Sequence, residues 1–180
     1  MVAELVARKN AAAGTPATLA LTRAGVAYTT HAYDHDADGT RSLRRSRSER
    51  LEGYGLEAAT ALGLDPATVF KTLLADVDGE LVVAVVPVDG QLDLKALAAA
   101  LGAKRAAMAE PAVAERVTGY LVGGISPIGQ KRRLRTVLDA SADDHPTVYV
   151  SGGRRGLDVG LSPVDLARVT GATRAAIARP

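Results

Sequence analysis

A single domain of α/β type, with a mixed β-sheet surrounded by helices, is the fold class this sequence predicts, and three observations lead to it. The chain has 180 residues, 47% of them hydrophobic, enough to bury one good core and too few for two ordinary domains. A hairpin is written into its middle. Val69 to Val77 and Leu81 to Val88 are apolar, β-branched runs separated by Asp78-Gly79, a pair that tolerates the positive φ angles of a tight turn. Around the hairpin, helix-like and strand-like segments interleave irregularly and without internal repeat, which favours a mixed sheet over a regular parallel βαβ array.

Residues 1–14 are Ala-rich and end at Gly14, and they read as an N-terminal extension ahead of a domain spanning 15–180. Thr15-Pro16 supplies a cap and a proline at the first helical position, predicting a helix that stops at Gly25. A strand is expected over Val26 to Tyr33. Asp34 to Gly39 then forms a polar turn. Thr40 to Gly53, with five Arg, two Glu and three Ser, looks like an inserted surface segment. Helical apolar spacing runs from Tyr54 to Gly63, and Asp65-Pro66 opens a short turn before the hairpin. Asp93 caps a helix to Leu101, and Glu110-Pro111 starts another that ends at Gly119. Tyr120 to Val122 is short and apolar. Gly123 to Gly129 is a loop by its glycine and proline content, followed by Lys131, Arg132, Arg133 and Arg135. Strands at Thr136 to Leu138, Thr147 to Ser151 and Leu157 to Gly160 would complete the sheet, and Ser162-Pro163 caps a last helix ended by Gly171.

Composition removes several function classes. Lys and Arg total 22 against 20 Asp and Glu, a net charge of +2, so no domain-wide basic field announces a nucleic-acid partner and any basic surface must come from local clustering. There is no cysteine, which excludes disulfides, thiolate metal sites and a Cys nucleophile. Five Tyr, one Phe and no Trp make a base-stacking platform for single strands a poor expectation. No apolar run reaches the roughly 18 residues needed to cross a bilayer, and Met1-Val2-Ala3-Glu4 lacks the basic stretch and apolar region of a secretion signal. A cytoplasmic location is expected by elimination.

Lys71 is the first residue to explain, because an ammonium between Phe70 and Leu73-Leu74 is costly to bury without a partner. It is either a cation at a pocket floor or the solvated alternate face of an ordinary strand. The Gly123 to Gly129 loop offers backbone N–H groups without side-chain obstruction, suited to an oxyanion or a ribose, although Gly-Gly is also an ordinary turn. Ser151 and Asp158 stand at the facing ends of two expected strands and can meet in one pocket; surface turn chemistry accounts for Ser151 equally well. A Ser-His-Asp triad is not expected, since His31, His35 and His145 lack a recognisable partner motif. His31, Asp34, His35, Asp36 and Asp38 hold enough donor atoms for a metal, yet without a metal-binding spacing they read as a polar turn.

Five motifs follow one another in order: Tyr33 with Asp34-His35-Asp36, Val69-Phe70-Lys71-Thr72-Leu73, Val85-Val86-Pro87-Val88, Gly119 through Gly129, and Ser151-Gly152-Gly153 through Leu157-Asp158. Together they resemble the YbaK family, stand-alone relatives of the insertion domain of bacterial prolyl-tRNA synthetase. The resemblance spans about residues 15–178. It implies a barrel-like mixed sheet surrounded by helices and a trans-acting aminoacyl-tRNA deacylase, with Cys-tRNA(Pro) as the leading substrate and action near prolyl-tRNA synthetase. Lys71, Gly123 and Gly124 would be the catalytic residues, and Tyr33, Ser126, Ser151 and Asp158 would bind substrate. No metal, cofactor or membrane is expected to take part. In such enzymes the substrate's own thiol is thought to attack its ester, releasing a thiolactone, which agrees with the missing cysteine. An Ala-tRNA(Pro) deacylase and a non-catalytic tRNA- or synthetase-binding module are the competing expectations. The Arg-rich segment looks longer than the family's usual link, and tRNA contact is one role for it.

Overall fold

The structure is a computed structural model that describes residues 14–35 and 47–180. Residues 1–13 of the expected extension and 36–46, which include most of the polar turn and the first half of the Arg-rich segment, lie outside the described residues.

Helix α1, Pro16–Arg23, starts as its sequence dictates: the Thr15 side chain accepts from the Thr18 N–H, and the Thr18 side chain accepts from the Thr15 N–H. The Thr15 hydroxyl also donates to the Gly152 carbonyl, tying the helix to a later strand. The Val26 N–H turns back to the Leu21 carbonyl at 3.1 Å, so pairing begins only afterwards and β1, Thr29–Ala32, is shorter than expected. Helix α2, Arg47–Leu62, begins inside the stretch that reads as surface insertion. Arg, Glu and Leu are good helix formers, so a polar composition and a helix are compatible.

The hairpin forms as expected from β2, Phe70–Val77, and β3, Glu80–Pro87, in antiparallel register from Phe70↔Pro87 to Val77↔Glu80. Asp78 in the turn has φ +49°, and its carboxylate accepts from the Lys104 and Arg105 N–H groups. Then follow β4, Gln91–Leu92, and α3, Leu94–Ala100, capped by Asp93. Next come β5, Ala106–Met108, α4, Pro111–Thr118, and β6, Arg135–Asp139. The chain continues through β7, Val148–Arg154, β8, Leu157–Leu161, and α5, Pro163–Thr170, capped by Ser162. It closes with β9, Thr173–Ala175, and β10, Ala178–Arg179. No described helix is long and apolar enough to cross a membrane.

The expected mixed sheet is five-stranded, in the order β5-β2-β3-β6-β9, with β2 antiparallel to its neighbours and β3, β6 and β9 parallel. Strands β7 and β8 do not complete it. They form an antiparallel sheet with β1, in the order β1-β8-β7, which touches the larger sheet through a bridge between Val69 and Tyr149. The described strands do not close into a barrel.

Strand β3 explains why the larger sheet is central. It is an almost unbroken apolar run, the pattern of a strand covered on both faces. Val83 and Val85 enter one core cluster with Leu21, Leu74, Val150 and Leu166, whereas Val82, Ala84 and Val86 enter a second with Leu97 and Ile177. Each buried Val contributes about 1.5–3 kcal/mol, so this strand is a rigid backing for β2.

Asp139 locks the C-terminal segment onto that frame. It is 5% exposed; one oxygen accepts from the Ile177 and Ala178 N–H groups at 2.8 Å each, the other from the Ser141 N–H and hydroxyl. Burial alone raises its pKa, but these four donors outweigh it and hold the carboxyl below its ordinary value. The depressed pKa stabilises the fold above the unfolded carboxylate range and that contribution fades as pH falls through the folded value. Asp139→Asn, which turns an amide toward donors, is expected to cost roughly 3 kcal/mol in denaturant unfolding at neutral pH, with the difference from wild type narrowing in acid.

Candidate active site

Strand β3 covers one edge of β2 over its whole length, but the other edge is covered only in part. β5 pairs with Ala75–Val77, the Ala109 N–H donates to the Leu74 carbonyl at 3.0 Å, and Val69, just before β2, bridges to Tyr149. Between those ties no described strand pairs with Phe70–Leu73 on that side, and a cavity of about 130 Å³ lies along it. Apolar residues line most of it: from β2 and its flank Val69, Phe70, Leu73 and Leu74, from α4 Pro111 and Ala114.

Among its lining residues are Lys71, Gly123, Tyr33, Ser151 and Asp158, five of the seven expected from the sequence. Lys71 is half-buried on β2 opposite Val86 and stands among the residues that line the cavity. Helix α2 passes close by because position 55 is glycine. A Cβ there would collide with Val88 Cγ1 and stand 3.9 Å from Lys71 Cβ, so any other residue would push the helix off the strand.

Ser151, Asp158 and His31 form one cross-strand row, Ser151 paired with Asp158 and Asp158 with His31, so their side chains share a face. The carboxylate is in the middle. A relay from serine to aspartate needs the imidazole there, and His31 Nε2 instead bonds the Thr29 hydroxyl at 2.8 Å. The row is therefore a polar wall rather than a triad. Asp158 is 5% exposed, and burial pushes its pKa up to about 6. Half-buried Tyr33 is pushed up to about 12, by burial first and then by the neighbouring Asp158 charge, so its hydroxyl keeps its proton and remains a donor.

Two expected residues are not brought to the cavity. The Gly124 N–H is committed to the Leu121 carbonyl at 2.9 Å, and the residue packs against the backbone of Arg154 and Arg155. Ser126 is fully buried, its hydroxyl accepting from the Ile128 N–H, because Ile128 plunges into the core and takes the loop with it. Conversely, the structure adds residues to which the sequence gave no role. Tyr54 and Gly55 line the cavity from α2, and so does Thr72, whose buried hydroxyl has no hydrogen-bond partner among the described residues. Such an orphan is a polar contact that the described fold leaves open beside the cavity. The described residues gather no cluster of three His, Cys, Asp or Glu that could hold a metal; Asp36 and Asp38 lie outside them.

Residues 55–169 match the aminoacyl-tRNA editing domain family. The chain belongs to that family. This editing domain is 40% identical over 114 residues to an Enterococcus faecalis protein named "Putative Cys-tRNA(Pro)/Cys-tRNA(Cys) deacylase EbsC", covering 62% of the chain and 69% of the relative. It is 36% identical over 101 residues to the proline–tRNA ligase of Geobacter metallireducens, covering 56% of the chain but only 17% of the ligase. Among solved structures, "a putative trans-editing enzyme for prolyl tRNA synthetase" superimposes with TM-score 0.74 at 23% identity, covering 92% of this chain and 96% of that one. The hypothetical protein APE2540 gives 0.75 at 23%, covering 92% and 100%. The expected YbaK-type fold is thereby established. Lys71, Gly123, Ser151 and Asp158 fall inside the matched stretch; Tyr33 and the pairing strand β1 stand before it.

The raised pKa of Asp158 has a signed consequence for this editing domain. Above about pH 6 both folded and unfolded chains carry the charge, and the folded one bears the burial cost; below the unfolded value of 3.8 neither does. Asp158→Asn is expected to raise the melting temperature at pH 8, by an amount corresponding to roughly 3 kcal/mol at most, and the gain should vanish in scans below pH 4.

Proposed function

We propose that this editing domain is a trans-acting aminoacyl-tRNA deacylase that clears mischarged Cys-tRNA(Pro), working beside prolyl-tRNA synthetase. The observation that carries the reading is the convergence of Lys71, Gly123, Tyr33, Ser151 and Asp158 on one cavity beside an incompletely paired strand. The name of the E. faecalis relative and the presence of related domains in proline–tRNA ligases support the same substrate.

In this reading the aminoacyl ester of the 3′-terminal adenosine enters the cavity. The sulfur of the cysteinyl group attacks its own ester carbonyl, the bond to the ribose oxygen breaks, the thiol proton ends on that oxygen, and a thiolactone leaves to be opened by water. The protein supplies no nucleophile. Lys71 stabilises the negative charge that builds on the carbonyl oxygen, the Gly123 N–H adds a backbone donor, and the Tyr33 hydroxyl and the Ser151–Asp158 wall hold the ribose and amine. Thr72 Oγ1 offers the substrate a hydrogen bond that no described residue takes up.

The test is deacylation of Cys-, Ala- and Pro-tRNA(Pro) side by side. Rapid release of cysteine with the other two nearly intact is the expected result; release of alanine but not cysteine would replace the thiol mechanism with an activated water. Lys71→Ala should lower the rate about a hundredfold or more, and equal rates would remove Lys71 from the chemistry. Thr72→Val, which keeps shape and deletes the hydroxyl, should reduce kcat/KM roughly tenfold.

A further inference from the structure

Arg155 is exposed at the tip of the β7–β8 hairpin, between Ser151 and Asp158 in sequence. Its Nε and Nη2 both donate to the Val122 carbonyl, at 3.1 and 2.7 Å, and its guanidinium carbon lies 4.6 Å from the centroid of the Tyr54 ring. One side chain thus joins three walls of the cavity: the hairpin with Ser151 and Asp158, the glycine loop with Gly123, and helix α2 with Tyr54 and Gly55.

The turn it grips has two forms. Leu121 to Gly124 is closed by the Gly124 N–H on the Leu121 carbonyl, with Gly123 in third place at φ +91°, the type II arrangement. Types I and II differ by a flip of the central peptide, here Val122–Gly123, and glycine in third place makes both accessible. In a trans peptide the carbonyl and the following N–H point in opposite directions, so whatever holds the Val122 oxygen also aims the Gly123 N–H. The Val122 N–H is itself held by Glu115 Oε1 at 2.9 Å, leaving the central peptide as the free element of the turn. No described residue accepts from the Gly123 N–H.

We propose that Arg155 is a positioning residue, clasping the Val122 carbonyl from outside so that the Gly123 N–H is turned into the cavity as a fixed donor for the substrate's carbonyl oxygen. The proposal rests on the deacylase reading for what the donor meets, but not for the clasp itself. A planar fork against one oxygen, stacked on a ring, is a task lysine does not reproduce, and this separates the clasp from simple attraction of tRNA phosphates.

Arg155→Ala and Arg155→Lys are each expected to lower kcat on Cys-tRNA(Pro) roughly thirtyfold, with KM within about threefold of wild type. Tyr54→Leu should produce a similar loss, and Arg155→Ala combined with Tyr54→Leu little more than either alone. Conformational exchange at the Gly123 amide, followed by NMR relaxation dispersion without any tRNA, should appear in all these variants, because the Gly124 bond to Leu121 is common to both turn forms and the Gly123 N–H is the group that reorients. A lysine variant with wild-type kcat would overturn the clasp in favour of charge alone, and so would unchanged exchange in Arg155→Ala. If wild-type protein releases no amino acid from any mischarged tRNA, the deacylase reading fails, while the exchange measurement still decides whether Arg155 sets the turn.

Discussion

Strand β2 is fully paired on one edge, whereas on the other β5 pairs only with Ala75–Val77 and the rest is pinned at two points, by Val69 to Tyr149 and by Leu74 to Ala109. Backbone N–H and C=O groups left unpaired in a protein interior are costly, so a gap of this kind persists only where polar atoms can reach it. Lys71 and Thr72 occupy that gap. The strand tolerates it because β3, buried on both faces by two separate clusters, holds it rigidly from behind. The cavity is thus a consequence of pairing, and every site residue is placed by its relation to this one edge.

Electrostatics follow from the same geometry. The three-stranded sheet brings Ser151, Asp158 and His31 into one row against the gap, and the apolar surroundings that make the cavity also desolvate Asp158 and Tyr33. A carboxylate raised to about 6 and a phenol raised to about 12 present an acceptor and a donor side by side near neutral pH. Shifts of this kind in a cleft are characteristic of functional sites. Near neutral pH only the Asp158 shift costs folding stability, since Tyr33 is neutral in both folded and unfolded chains, and that cost is offset by parts of the chain remote from the cavity, among them the four-donor cradle of Asp139.

What was legible in the sequence was local. Asp78-Gly79 between apolar runs, Thr15-Pro16, Asp93 and Ser162-Pro163 each specify a turn or cap through neighbours a few residues away, and each forms as expected. The separation of β1, β7 and β8 into a sheet of their own was not legible, because whether β7 pairs with β8 and β1 or joins β6 depends on long-range packing. Ser126 read as accessible because glycine and proline announce a loop without saying that Ile128 drags it inward. Arg155 carries no signal at all: its partner Val122 is distant in sequence, and an arginine in a Gly-Arg-Arg-Gly turn is indistinguishable from a solvated one until the loop is seen beside it.

Selectivity is the last property this arrangement constrains. A cavity lined by Val69, Phe70, Leu73, Leu74 and Ala114 has no charged or strongly directional group dedicated to a side chain of the size of cysteine, and discrimination among small apolar groups by packing yields only about 1–3 kcal/mol. The polar atoms instead converge where the ester and ribose would lie. Under the proposed mechanism, such a site would hold the bond to be broken in a fixed orientation and leave the choice of substrate to whether the bound amino acid can attack it. An enzyme built this way needs rigidity at the carbonyl more than complementarity at the side chain, and that places the demand on the backbone peptide at Gly123 and on whatever keeps it from turning over.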